Sequence, residues 1–242
     1  MTAVTAEWVR AAHGDAWQAL AVAGSAELPG VRLAATGLAH PQWNNGDVDD
    51  PSQIDIAAVR AWYDGLGVPW GMRLPAGAPW THGQRLFTKR LMGLTTTAFR
   101  PAPIPTGAVI RSATPTDLGA YLQVDATAFG EDPEVQRPWL ALLLDHPAAT
   151  VAVAEVDGAI VASGHVVVST GRAGPAGYVG GIAVLPQLRR RGVGAAISSW
   201  LVRTTGDGVG LWHLHPDTDE AARIYRRLGF SEVDGLDIYV DC

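Results

Sequence analysis

From Ala108 onward the chain alternates short apolar runs with amphipathic stretches, and glycine or proline marks each change of period. Thr150 to Val156 and Ala159 to Ser169 flank Asp157-Gly158, a hairpin signal because a two-residue turn needs positive φ. Tyr178 to Val184 is apolar and glycine-punctuated, as suits a buried strand, and Pro186 ends its pairing. A Gly/Pro-rich turn, Gly171 to Gly177, joins it to the strand before. Ala108 to Arg111 reads as a first strand, Leu211 to His215 as a short one stopped by Pro216, and Leu236 to Val240 as the last. Leu118, Tyr121, Leu122 and Val124 recur at helical spacing behind Thr114-Pro115-Thr116-Asp117, whose threonine, early proline and acid favour a helix start. Other helices are read near Val135 to Leu144, from Gly192 through Ile197, Trp200 and Leu201, and from Ala221 to Leu228, ending at Gly229. The order is strand, two helices, three antiparallel strands, helix, strand, helix, strand.

The pattern is weaker before that. Ala3 to Ala23 reads as one amphipathic helix or two, Val31 to Ala39 as a strand and Asp55 to Gly65 as a helix. Phe99-Arg-Pro-Ala-Pro-Ile-Pro-Thr-Gly107 carries three prolines, which stiffen it and prevent regular pairing. The expected organisation is an N-terminal domain over 1–100, a Pro-rich linker over 101–107 and a second domain over 108–242.

With 48% hydrophobic and 17% charged residues, the 242-residue chain can build a core and is not disordered. A net charge of −6 argues against non-specific nucleic-acid binding and is compatible with a cationic substrate. Cys242 is the only cysteine, so neither an intrachain disulfide nor a cysteine zinc site is possible, as in a reducing compartment. Glu7, Arg10 and Asp15 interrupt any signal-peptide core, and no apolar run of about eighteen residues exists. A cytoplasmic protein with no membrane partner is the expectation.

The chemistry concentrates at Arg189-x-x-Gly192-x-Gly194, where a strand feeds a helix start. Such a start offers unpaired N–H groups and the positive dipole end, and glycines let phosphate oxygens approach the backbone. Arg189, Arg190 and Arg191 add positive charge. The stretch resembles the acetyl-CoA-binding motif (R/Q-x-x-G-x-G/A) of the GNAT N-acetyltransferase superfamily. Ala221-x-x-Ile224-Tyr225-x-x-x-Gly229-Phe230 resembles that family's second signature, and the resemblance covers residues 108–242. It implies an α/β (α+β) GNAT fold, a central mixed, mostly antiparallel sheet flanked by helices. Tyr63-x-x-Leu66-Gly67-Val68 is similar to Tyr225-x-x-Leu228-Gly229-Phe230. Either this marks a smaller degenerate GNAT-like N-terminal domain, as in tandem GNAT proteins of the mycothiol synthase type, or it reflects an ordinary helix C-cap. The first hundred residues lack an R-x-x-G-x-G counterpart, so CoA binding is not expected there.

The resemblance implies acetyl-CoA as cosubstrate and direct acetyl transfer to a primary amine of a small molecule or a peptide N-terminus. Ile182, Ala183 and Val184 would hold the pantetheine arm, and Arg189, Arg190, Arg191, Gly192, Val193, Gly194 and Ala195 the diphosphate, with Thr218 as a further contact. Tyr225 stands where the family places a general acid; a phenol keeps its proton at neutral pH and can donate to a thiolate. Its plainer reading is a packed core tyrosine. Two departures matter: Thr218 replaces a frequent asparagine, and Gly180-Gly181 replaces a frequent glutamate, so that strand offers no carboxylate base. His213 is then the candidate base, with His215 on the same strand face and His165 as a second option. Strand histidines also serve as packing residues.

Phe129 to Arg137 and the N-terminal part are expected to shape the acceptor site, with Trp43, Trp62, Trp70 and Trp80 lining a cleft or packing in a core. The histidines show no ligand spacing with carboxylates, so no metal is expected. Ile197 occupies the third position of a dinucleotide-binding Gly-x-Gly-x-x-Gly, and no G-x-S-x-G elbow occurs. A monomer or homodimer is implied. The alternative is a catalytically inactive acyl-CoA-binding sensor or interaction module.

Overall fold

A computed structural model describes residues 3–240; Cys242 lies outside them. The first part of the chain forms α1 (Ala6–Ala19), β1 (Gly24–Leu28), β2 (Val31–Ala35), β3 (Asn44–Val48), α2 (Ile56–Leu66), β4 (Gly71–Pro75) and β5 (Gln84–Thr95). The second forms β6 (Ala108–Ser112), α3 (Leu118–Phe129), α4 (Pro133–Asp145), β7 (Ala149–Val156), β8 (Ala159–Gly171), β9 (Gly174–Val184), α5 (Val193–Thr204), β10 (Leu211–Leu214), α6 (Asp219–Leu228) and β11 (Ser231–Val240). This mixed α/β element order over the second part is the expected one.

All the strands join one 11-stranded sheet, ordered β1-β2-β3-β4-β11-β5-β10-β9-β8-β7-β6. Outward from the antiparallel β11–β5 pair, the two directions match. Each meets an antiparallel neighbour (β4 or β10), then a parallel strand (β3 or β9), then antiparallel strands to the edge. The last strand of each part therefore sits in the other's half of the sheet: β5 beside β10, and β11 beside β4. This near-symmetry is consistent with a tandem arrangement, with β5 and β11 tying the two parts together.

By position, α2 joins parallel β3 and β4 as α5 joins β9 and β10, so it is the counterpart of α5 and not of α6. The likeness of Tyr63–Val68 to Tyr225–Phe230 has a local cause. Both helices end on a left-handed glycine, Gly67 (φ 65°) and Gly229 (φ 106°). In both, the next residue's N–H returns to the tyrosine carbonyl, at 3.4 Å for Val68 and 3.0 Å for Phe230.

Two stretches differ from the sequence expectation for physical reasons. Gly174 to Gly177 is the start of β9 and not a turn; Gly177 serves packing, because a Cβ there would fall 2.4 Å from the Trp212 ring. β3, Asn-Asn-Gly-Asp-Val, is too polar to read as a strand yet is buried throughout. Its polar groups are satisfied internally: the Asn44 amide donates to the Leu38 and Pro69 carbonyls (2.8 Å each), and Asp47 takes a two-pronged Arg73 guanidinium (2.8 and 2.7 Å).

Side chains separate onto the two faces by strand alternation. Val179, Met92, Leu94, Trp212 and Leu214 pack with residues of α5 and α6, and Val31, Leu33, Met72 and Leu74 with Val59 and Tyr63 of α2. On the opposite face Tyr178, Val167 and Val151 meet α3 and α4, while Val9 and Ala12 of α1 cover Leu91, Leu211, Leu236 and Ile238. Trp139 of α4 is stacked between Trp17 (5.5 Å, 16°) and Trp43 (5.7 Å, 10°), joining the two parts. Trp62 and Trp70 pack around Tyr63 at 4.7 and 5.0 Å, and Trp80 belongs to the same core, so these tryptophans serve packing.

Candidate active site

β9 and β10 pair in parallel only from Leu211↔Ala176 to His213↔Tyr178. Beyond that point β10 ends, while β9 continues to Val184 paired on its other side with β8. From Val179 to Val184 one edge of β9 thus faces no strand, which leaves main-chain groups free beside a gap. A bulge at Gly181 (φ 58°), between the Ser163↔Ala183 and His165↔Gly180 pairs, adds a residue there and turns the backbone locally. Ile182, Ala183 and Val184 lie on this stretch. Ala183 is buried, and Ile182 and Val184 pack partly against the α5 side of the core.

The loop to α5 ends in an open helix start. Gly192 is the N-cap, with φ 83° and no side-chain cap, and the first helical bond is Ala196 N–H to the Gly192 carbonyl (2.9 Å). The N–H groups of Val193, Gly194 and Ala195 are therefore those that a helix leaves unpaired. Left-handed backbone at Gly192 favours glycine, whereas a Cβ on Gly194 would meet only Val184 at an ordinary 3.5 Å. Arg190 and Arg191 are exposed beside this start, and Arg190 is itself left-handed (φ 61°). Arg189 is committed elsewhere: it donates to the Val184 carbonyl (3.1 Å) and to the Ala128 carbonyl at the end of α3 (3.0 Å). It fixes the loop. Free N–H groups at a helix start, with Arg190 and Arg191 as neighbours, are suited to an anion.

Tyr225 of α6 is buried with its ring edge-on to Phe230 (5.9 Å). Burial, then Asp217, pushes its hydroxyl pKa up, so it holds its proton more firmly than a free phenol. Thr218 is the N-cap of α6; its Oγ1 accepts from the Ala221 N–H (3.1 Å), which leaves only the hydroxyl proton for another partner.

The histidines gather on the face covered by α1. His213 is wholly buried under α1, with the Ala12 backbone as its polar neighbour, stacked on Tyr178 (5.3 Å, 23°) and edge-on to His13 (5.8 Å). Burial, then His215, pulls it down to about 3. A base must reach the acceptor nitrogen, and His213 has no open surface from which to do so. His165 is likewise buried and drawn down to about 3; its ring lies where a Cβ on Gly180 or Gly181 would be, at 2.5 and 2.8 Å. The paired glycines thus make room for an imidazole.

His215 is different. It is partly exposed, and its Nε2 lies 2.5 Å from the Tyr178 hydroxyl and 3.4 Å from the Lys89 ammonium, with Asp217 3.8 Å from Nδ1. Burial, then Lys89, pulls it down to about 4. Sequence reasoning missed Tyr178, Lys89 and His13 as site residues. Lys89 is the chain's sole lysine, which was the available signal; Tyr178 and His13 look like ordinary apolar-face positions. On the α3 side, Asp125 is almost wholly buried and raised to about 7 by burial and then Glu131, and Glu131 is raised by burial and then Asp217. Among the described residues no group of three or more His, Cys, Asp or Glu side chains is arranged to hold a metal.

β9 and β10 thus part beside the open start of α5, near a tyrosine that holds its proton. Residues 147–232 match the Acetyltransferase (GNAT) domain family. Its structure is similar to a GCN5-related N-acetyltransferase from Kribbella flavida (TM-score 0.70, 18% identity, 99% of this chain and 96% of that one). It is also similar to a putative GNAT acetyltransferase from Novosphingobium aromaticivorans (TM-score 0.61, 18% identity, 96% and 94%). A tandem GNAT protein from the clavulanic acid biosynthesis pathway aligns over 86% of this chain and 77% of its own (TM-score 0.54, 15% identity). At these identities the likeness establishes the GNAT fold. No curated protein matches the chain. No helix among the described residues is long and apolar enough to cross a membrane.

Proposed function

We propose that the protein is an acetyl-CoA-dependent N-acetyltransferase that passes the acetyl group directly to a primary amine of a small molecule or peptide N-terminus. The observation that carries this reading is the gap between β9 and β10, which opens beside the uncapped start of α5. Acetyl-CoA supplies an electrophilic thioester carbonyl and a thiolate leaving group. The N–H groups of Val193, Gly194 and Ala195 would hold its diphosphate, helped by Arg190 and Arg191, while the free β9 edge at Ile182, Ala183 and Val184 would hold the pantetheine arm. Arg189 positions the loop. Tyr225 donates a proton to the departing sulfur; it is protonated at neutral pH, and burial makes it a weaker acid than a free phenol, so the transfer relies on its placement at the sulfur.

The acidic groups Asp125, Glu131 and Asp217 favour a cationic molecule approaching from the α3–α4 loop, in keeping with an amine. In this reading residues 108–242 are the catalytic domain, 101–107 the linker, and 1–100 a degenerate GNAT-like domain that completes the sheet. A cytoplasmic location fits the single cysteine.

Thermal-shift titration with CoA and acetyl-CoA, beside Gly192→Glu, tests the binding half. Stabilisation that disappears in the variant is expected, since ligand binding to the folded state raises the melting point by mass action. No shift with either ligand overturns the reading. Thiol release across a panel of primary amines then tests transfer. The inactive-module alternative gains from Thr218 acting as a helix cap and from the absent β9 carboxylate; binding without Tyr225-dependent turnover is its signature.

A further inference from the structure

We infer that Tyr178, His215 and Lys89 form the path by which the acceptor amine gives up its proton, so the N-terminal part of the chain contributes a member of the reacting machinery. This rests on the acetyltransferase reading above.

The three groups come from three adjacent strands. Tyr178 is the last residue of β9 paired to β10, at the point where the strands part. His215 follows β10 immediately, and Lys89 lies on β5, the strand that the first part inserts between β10 and β11. Tyr178 lies flat against both His213 and His215 (5.3 and 5.6 Å, 23° each), which holds its hydroxyl at Nε2 of His215. Asp217 on the Nδ1 side favours the tautomer with the proton on Nδ1, which leaves Nε2 as acceptor for the Tyr178 hydroxyl. Lys89 Nζ approaches the same nitrogen.

The step balances as follows. The amine nitrogen forms the amide bond to the acetyl carbon, the carbon–sulfur bond breaks, and the sulfur leaves with the proton of Tyr225. The proton lost by the amine goes to the Tyr178 oxygen as the Tyr178 proton moves to Nε2 of His215, and from there to a neutral Lys89 amine. Solvent returns Tyr225 and Lys89 to their starting states. Tyr178 is the member placed where β9 and β10 part, and Lys89 and the partly exposed His215 act through it.

Lys89 suits this end of the path because burial, then Arg73, brings it down to about 8. Below that pH its charge holds His215 unprotonated and blocks the exit; above it the amine is free to accept. The groups facing the pair are Asp217 after β10, His213 on β10, Tyr178 on β9, His165 on β8, His13 on α1, Tyr225 on α6 and Arg73 on β4, the last ion-paired to Asp47 of β3. His13 and His165 have no hydrogen bond to either ring nitrogen, and His213 has the Ala12 backbone as its polar neighbour, so none of them is linked to Lys89 as His215 is.

The test combines acetyl transfer and ring titration on the full chain. Turnover of acetyl-CoA is measured with a short peptide bearing a free α-amino group, an aliphatic diamine and an amino sugar. Wild type, Tyr178→Phe, Lys89→Arg and Lys89→Met are compared across about pH 6 to 10, with CoA thermal shifts to verify folding. Tyr178→Phe keeps the ring stack and is expected to lower kcat about a hundredfold with KM little changed. Lys89→Arg keeps the charge but cannot accept a proton, so the rise near pH 8 should vanish while the amine's own limb remains. Independently of activity, NMR titration of the His215 ring, assigned with His215→Gln, should move up by at least tenfold in proton affinity in Lys89→Met. Wild-type turnover that Tyr178→Phe and Lys89→Arg both retain defeats the path alone, as does an unmoved His215 titration. Wild type that turns over no amine defeats the acetyltransferase reading and the path with it.

Discussion

The Arg189 guanidinium donates to the Ala128 carbonyl at the end of α3 and to the Val184 carbonyl at the end of β9. The first arginine of the motif is therefore a brace between helix, strand and loop, although all three arginines are exposed. Arg189→Ala should cost about 1 kcal/mol of stability through two lost exposed bonds and should loosen the loop that presents the α5 N–H groups. Arg190→Ala, which leaves the loop braced, should be near neutral in stability. Chemical denaturation of the two variants checks the ranking; equal stabilities would show that the brace carries no weight.

The Asp47–Arg73 pair is buried, and the Arg73 guanidinium also lies 4.6 Å over the Trp17 ring. Removing one partner strands a charge away from water. Asp47→Ala should destabilise by about 3–5 kcal/mol, and Asp47→Asn by less, since the amide still offers an acceptor. Urea midpoints report this. A loss under about 1 kcal/mol for Asp47→Ala would mean that water reaches Arg73 in the folded protein.

How far the sequence was legible follows from what each stretch had to do. β7 and β8 around Asp157-Gly158, α5 behind Gly192 and α6 before Gly229 follow local rules of periodicity and capping, and they stand where those rules put them. β3 and β5 do not. β3 buries Asn44, Asn45 and Asp47 against partners far along the chain, and β5 begins exposed and charged before it enters the centre of the sheet. Lys89 meets His215 only because β5 crosses into the other half, a juxtaposition no local pattern encodes. His213 and His215 share a face, as strand alternation requires, but α1 covers the first and leaves the second partly open.

Trp139 stacked between Trp17 and Trp43 makes one side chain of the second part a wedge in the first. Trp139→Ala should cost about 3–5 kcal/mol, and the loss should fall on the docking of α1 and of the segment before β3. Limited proteolysis should then open the first part ahead of the second. Cleavage that begins in both parts at once would argue that the strand exchange alone holds them together.

Asp125 links the site to pH. Burial, then Glu131, lifts its carboxyl from 3.8 to about 7 in the folded chain, while the unfolded chain keeps the ordinary value. The folded state thus binds this proton more tightly. Its contribution is fully present at low pH, is lost as pH rises from about 4 to about 7, and stays lost above that. A shift of about three units corresponds to at most about 4 kcal/mol. Asp125→Asn cannot ionise, so it should be more stable than wild type at about pH 8 and similar to it at about pH 4. Carboxylates held low elsewhere, such as Asp117 beside Arg111, push overall stability the opposite way. The informative quantity is therefore the difference between wild type and variant in urea unfolding at the two pH values. A difference that does not change with pH would place Asp125 in water, and the acidic wall facing the α3–α4 loop would lose its buried member.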